Sequence, residues 1–303
     1  MISKIIYYNE EKRDTTDNTL NINMYVKCIS EYLKLKGKKV EFKQLINDGT
    51  LGIVFSMKID GMDKVVKTHL NNITIKNRFI NECYIFKKIY GKTINIEILE
   101  IKIENCYYTY LVMDELSNDL KHVSIDLINK IISVYKDNFK EGFRDNIPNI
   151  RDIFQRYNTG KNILLEKKLI SEKNIKIIDS IDKIEKDICA EKLVFCHGDL
   201  SNKNIMQKDN KNIVIDWEDS FFGVEKYDFI YWLTFMQNRK YYNEYYFKLY
   251  KLNNQRSLYL FVVILILKCY LSYINKTYVN NKVSFDDRLD EVFSLYYKLG
   301  VIK

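Results

Sequence analysis

A chain of 303 residues with 47% hydrophobic and 14% aromatic content can bury a sizeable core, which excludes a disordered polypeptide. The formal charge of +8 raises nucleic acid or a membrane surface as partners, but only eight of the 48 basic residues are arginine. The bases are interspersed with acids and no nucleic-acid motif is present, so neither partner is expected; the charge can still attract an anionic substrate such as a nucleotide. Six cysteines (Cys28, Cys83, Cys106, Cys189, Cys196 and Cys269) show no CxxC pair and no metal spacing. They read as small hydrophobes of a reduced, cytoplasmic protein.

In chain order, Leu20 to Lys36 has helical apolar spacing and Gly37 as a stop. Lys38 to Asp60 reads as a strand, a glycine-containing turn and a second strand, and a turn at Gly61-Met62-Asp63 leads to a third strand, Lys64 to Leu70. On that strand Val65 and Lys67 share a face. Lys76 to Tyr90 is helical, with Glu82 on its apolar side between Phe79 and Phe86; a carboxylate buried there needs a partner. Strands Thr93–Ile103 and Cys106–Met113 follow. The expected N-terminal lobe, 1–116, is a small antiparallel sheet with one inserted helix.

Residues 117–303 read as a larger, mostly helical lobe. Candidate helices are Ser124–Asn138, Ile147–Tyr157, Ser171–Cys189, Lys226–Arg239, Tyr241–Tyr250, Gln255–Ile274 and Phe285–Leu299. The longest apolar run, Leu258 to Leu267, is closed by Lys268 and is too short to span a bilayer, which points to a buried core helix. With one proline and no glycine/serine-rich linker, two packed lobes are expected rather than tethered domains.

The chemistry concentrates in Leu193 to Glu218, where two apolar runs bracket a polar loop. A short strand, a tight turn and a second strand would bring Asp199, Asn204 and Asp216 to one mouth. Carboxylate, amide oxygen and carboxylate are hard ligands of the kind that hold magnesium beside phosphates. Singly, each could be a turn, cap or strand-end residue.

The text His197-Gly198-Asp199-Leu200-Ser201-Asn202-Lys203-Asn204, then Ile215-Asp216-Trp217-Glu218, then Tyr227-Asp228, resembles the aminoglycoside phosphotransferase and choline kinase family, a relative of the protein kinases. The resemblance implies a bilobal, protein-kinase-like α+β fold and transfer of the γ-phosphate of ATP or GTP to a hydroxyl of a small acceptor, with Mg2+. It implies Asp199 as the catalytic residue, Asn204 and Asp216 as metal ligands, and His197 and Asp228 as braces of the loop. Val65-Val66-Lys67 is similar to the strand carrying the kinase lysine, with Glu82 as its partner. Asn47 to Val54 reads N-x-G-x-x-G-x-V, so Gly49, Thr50 and Gly52 are expected against the phosphates. Met113 to Leu116 would be the hinge, with Met113 and Glu115 beside the base. A protein kinase is disfavoured because eleven residues between Asp216 and Asp228 leave no activation segment, and a non-catalytic nucleotide-binding pseudokinase because the reactive residues are present.

The acceptor is left open between three classes. A polycationic aminoglycoside would want an acidic pocket, for which Glu218, Asp219, Glu225, Asp286, Asp287 and Asp290 are candidates. Choline would want an aromatic cage. A sugar is the third.

Overall fold

The computed structural model describes residues 15–47, 53–68, 73–91, 93–103, 106–117, 123–140, 147–275 and 283–302. The chain divides into two compact units, Met1–Leu116 and Ser117–Lys303.

The first unit is built on a five-stranded antiparallel sheet. Its strands are β1 (Val40–Asn47), β2 (Ile53–Ile59), β3 (Met62–Thr68), β4 (Ile96–Ile103) and β5 (Cys106–Asp114), in the order β1-β2-β3-β5-β4. The β2–β3 turn lies one residue earlier than the glycine suggests. Ile59 pairs with Met62, and the two turn residues Asp60 and Gly61 both have positive φ, 52° and 82°. That is the Asp-Gly type I′ turn, whose twist matches the flanking strands.

Helix α1 (Thr15–Leu35) covers one face of the sheet, with Tyr25, Ile29 and Leu33 against Phe55, Met57, Val66 and Tyr110. Because side chains alternate across a strand, Val65 and Lys67 point to the other face. There Val65 pairs with Met113 and Lys67 with Leu111. Helix α2 (Ile73–Tyr90), inserted after β3 as the pattern predicts, packs against β4 and β5.

The second unit is mostly helical. Its helices are α3 (Ile125–Tyr135), α4 (Ile150–Glu166), α5 (Glu172–Ile181), α6 (Glu185–Cys189), α7 (Tyr227–Leu233), α8 (Glu244–Leu249), α9 (Gln255–Ile274) and α10 (Phe285–Lys298). Helix α9 is long and apolar enough to cross a membrane, yet Leu258 through Ile266 are buried in this unit, where α9 packs against α4, α7 and α10. It is the central core helix, as the broken apolar run predicts. Pro148 delays α4: Asn149 caps it in a reciprocal capping box with Asp152, so the helix begins at Ile150.

Two small antiparallel pairs complete the unit: β6 (Val194–Cys196) with β9 (Phe221–Gly223), and β7 (Ile205–Lys208) with β8 (Lys211–Val214). The sequence suggests a strand on each side of the polar loop. The structure instead gives each of the two apolar runs its own partner strand, because each needs a separate ladder for its backbone groups.

Candidate functional site

The loop between β6 and β7 carries His197 to Asn204. Gly198 has φ +88°, and a Cβ there would collide with the Asp219 carbonyl oxygen, so only glycine fits. His197 is fully buried. Its Nε2 lies 2.8 Å from the Ile215 carbonyl, and its Nδ1 accepts from the Asp199 amide at 3.2 Å. One nitrogen must donate and the other accept, which fixes the neutral Nε2–H tautomer. Neither ring nitrogen is left for a reacting proton, so the geometry is that of a brace.

Asp228, on the first turn of α7, is buried beneath the loop. Its carboxylate accepts from the Tyr135 hydroxyl at 2.7 Å and from the backbone amides of His197 and Gly198 at 2.7 and 3.0 Å. Burial pushes this carboxyl up from the ordinary range, while the three donors oppose the shift.

Asp199 is half-buried. Its Oδ1 accepts the Tyr231 hydroxyl at 2.7 Å. Burial, reinforced by Asp199 itself, pushes the Tyr231 phenol well above its usual value, so it stays a donor. Asn204 gives its Nδ2 to the Asp199 carbonyl at 2.8 Å. That assignment leaves the amide oxygen as the group available to a cation.

The β7–β8 hairpin turns on Asp209 and Asn210, both with positive φ, and its open end is closed by the Ile215 amide donating to the Asn204 carbonyl at 2.9 Å. Asp216 follows at once in the left-handed region, φ 68°, and breaks the strand. The fold therefore brings Asn204 and Asp216 to the same end of one hairpin, with Asp199 bonded to Asn204. Trp217, the next residue, is core: it stacks on Phe195, contacts the His197 ring and donates to the Val214 carbonyl.

In the first unit Lys67 Nζ and Glu82 Oε2 are 3.3 Å apart, with side chains 15% and 4% exposed. The acid on the apolar face of α2 thus has the partner that burial demands. Val65 and Met113 flank each other on the same sheet face. Glu115 lies at the end of β5, where its carboxylate takes Lys43 at 3.0 Å and its amide donates to the Asp63 carbonyl. Gly49, Thr50 and Gly52 lie outside the described residues.

Sequence reasoning misses several groups that the fold adds. Tyr231 and Trp232 follow Asp228 by three and four residues, hence on the same helix face. Tyr231 holds Asp199, and Trp232 donates to Asn202 Oδ1 at 2.6 Å. A cavity of about 440 Å³ opens beside Asp199, lined also by Tyr231, Phe235, Lys268 and Arg288. That is within the range of small-molecule sites.

A loop and hairpin of this kind, in a helical unit that follows a five-stranded sheet with one inserted helix, define a protein of the kinase-like fold. Residues 154–261 match the phosphotransferase enzyme family. Among solved structures, aminoglycoside phosphotransferase APH(4)-Ia is similar, with a TM-score of 0.61 at 14% identity, covering 90% of this chain and 98% of that one. Choline kinase LicA from Streptococcus pneumoniae has a TM-score of 0.53 at 15% identity, covering 90% and 98%. A choline/ethanolamine kinase family protein from Mesorhizobium loti has a TM-score of 0.53 at 14% identity, covering 86% and 87%. No curated protein sequence matches. The chain resembles the aminoglycoside phosphotransferase and choline kinase family both in its loop sequence and in its fold.

Proposed function

We propose that this protein transfers the γ-phosphate of ATP to a hydroxyl of a small molecule. The observation that carries the proposal is Asp199: its carboxylate is held by Tyr231 and its backbone carbonyl by Asn204, at the edge of a cavity large enough for a small acceptor. Phosphoryl transfer asks the protein for positioning and charge neutralisation more than covalent chemistry. Asp199 would orient the acceptor hydroxyl and take its proton as the bond to phosphorus forms.

Asn204 and Asp216 supply the two oxygen ligands that suit a magnesium ion, which keeps its remaining positions for water and phosphate oxygens. The ion, when bound, would neutralise charge on the phosphates. Lys67, aimed by Glu82, would bind phosphate oxygens, with Val65, Met113 and Glu115 near the nucleotide. Gly49, Thr50 and Gly52 keep the expected role of contacting the phosphates. ATP is the proposed donor because crystal structures of APH(4)-Ia variants, of the same fold, hold ADP or AMP-PNP together with hygromycin B. A small acceptor is favoured over a protein because the chain from Asp216 to Tyr227 is one short 3-10 turn and β9, with no long segment to seat a peptide. We place the reaction in the cytoplasm, where Cys28, Cys83, Cys189, Cys196 and Cys269, all free, stay reduced.

The test is ADP release coupled to NADH oxidation, with MgATP and a panel of hydroxyl compounds. Asp199→Asn keeps the shape and removes the base, and is expected to lower turnover by at least about 100-fold. Equal turnover by the variant would remove Asp199 from the chemistry.

A further inference from the structure

The cavity beside Asp199 speaks to the acceptor's charge. Of its lining residues Asp199 is the sole acid, while Lys268 on α9 and Arg288 on α10 are both cations. Among the described residues neither cation has an acidic partner within ion-pair distance. Lys268 Nζ lies 3.4 Å from the Tyr231 carbonyl, and Arg288 donates to the Thr234 carbonyl at 3.0 Å. Two half-buried charges of one sign face one cavity and outnumber its single carboxylate, Asp199, which acts on Lys268 without an ion pair to it; a further anion would balance them. Burial, and then the neighbouring guanidinium, push the Lys268 ammonium well below its usual value.

Four of the acidic residues that would seat a polycation are occupied elsewhere. Asp286 accepts from Ser171 and Asn174, Asp287 is locked in the capping box of α10, Asp290 pairs with Lys173, and Glu225 pairs with Lys136. None of the six candidate acids lines the cavity. The aromatic cage that choline would require is present but filled. The Tyr231 and Phe235 rings sit edge to face, and Lys268 Nζ lies 3.8 and 3.5 Å from their centroids. A quaternary ammonium would have to displace a cation from the place it needs.

We infer that the acceptor carries, besides its reacting hydroxyl, an anionic group, carboxylate or phosphate, held by Lys268 and Arg288. The inference rests on the phosphotransferase reading. The anion completes the two cations, and the hydroxyl lies toward Asp199.

Five probes decide it, in the ADP-release assay with MgATP: glycerate, glucose 6-phosphate, glucose, choline and hygromycin B. An anionic probe is expected to give the highest kcat/KM, with the glycerate and glucose 6-phosphate arms telling carboxylate from phosphate. Lys268→Met and Arg288→Gln should each raise the KM for that probe on the order of 10-fold, with the KM for ATP unchanged. Lys268→Met keeps an unbranched chain against the Tyr231 and Phe235 rings, and a Tm near that of the wild type separates a binding defect from misfolding. Arg288→Gln keeps a donor for the Thr234 carbonyl. A readout without turnover is the rise in Tm of the wild-type protein with glycerate or glucose 6-phosphate, absent in Lys268→Met. Preference for choline or hygromycin B, or variants with unchanged acceptor KM, would overturn the charge inference while leaving phosphoryl transfer standing. Stabilisation by an anion, with no ADP released from any probe, would leave the anion site and sink the transfer reading. No Tm shift and no ADP from any probe would overturn both.

Discussion

Asp228→Asn tests the brace under the loop. The carboxylate takes the Tyr135 hydroxyl and the His197 amide on Oδ2, at 2.7 Å each, and the Gly198 amide on Oδ1 at 3.0 Å. In asparagine one of these acceptors becomes a donor. The least damaging flip places the NH2 at the Oδ1 position, facing the Gly198 N–H. One charge-assisted bond worth about 1.5–3 kcal/mol is lost, and the unpaired buried donor costs about 1–3 kcal/mol more. Burial opposes the charge on Asp228, so neutralising it returns part of that loss. The net destabilisation is about 3 kcal/mol, which at an m-value of about 3 kcal/mol per molar moves the urea midpoint down by about 1 M. Tryptophan fluorescence is a suitable probe, because Trp217 contacts His197 and Trp232 bonds Asn202. The loop also loses its anchor, and a displacement on the order of 1 Å costs about 100-fold in turnover. A variant within about 0.2 M of the wild-type midpoint and with wild-type kcat would refute the brace.

Tyr231→Phe keeps the ring against Lys268 and deletes only the 2.7 Å bond to Asp199. It is expected to lower kcat on the order of 10-fold with little change in acceptor KM, since a bond of about 1.4 kcal/mol orients the carboxylate; an unchanged kcat would show that Asp199 needs no such support. Lys268 gives a pH prediction. With its folded pKa depressed, the unfolded chain binds one more proton between that value and the ordinary lysine value of about 10.4, so stability contributed through Lys268 rises with pH across that window. The stability of the wild type relative to Lys268→Met should therefore rise as the pH climbs toward about 10, and a difference in urea midpoint that stays constant would refute the depressed value.

Patterns that depend on neighbouring residues are legible in the sequence. Alternation gives the strands of the sheet, and the acid on the apolar face of α2 announces a buried partner, which is Lys67. The spacing of His197, Asp199, Asn204, Asp216 and Asp228 identifies one loop, one hairpin and one helix that the fold places together. What escapes the sequence is set by tertiary contact. The stretch Ser171 to Cys189 reads as one helix, but the chain tightens into a 3-10 turn at Asp182–Ile184, where Asp182 binds the Tyr157 hydroxyl and Lys161. Lys226 to Arg239 likewise breaks after Leu233, as Asn238 turns back to donate to the Trp232 carbonyl. In sequence Lys268 is only the residue that ends an apolar run. Its meaning comes from Tyr231 and Phe235, whose rings meet it across more than thirty intervening residues.

Helix α7 and the two residues beyond it link the loop to the cavity. Asp228, Tyr231, Trp232 and Phe235 stand at i, i+3, i+4 and i+7, one stripe of a helical surface. Along that stripe the first residue fixes the backbone of the loop, the second aims Asp199, the third bonds Asn202, and the fourth lines the cavity. Any change that rotates this stripe must disturb Asp199 and the wall of the cavity together. The two cations proposed to hold the acceptor lie on different elements, α9 and α10. Substitutions at Lys268 and Arg288 can therefore alter which hydroxyl compound is held while α7 keeps Asp199 in place. On the proposed function, this division separates the part of the site that would stay fixed for phosphoryl transfer from the part free to change its substrate.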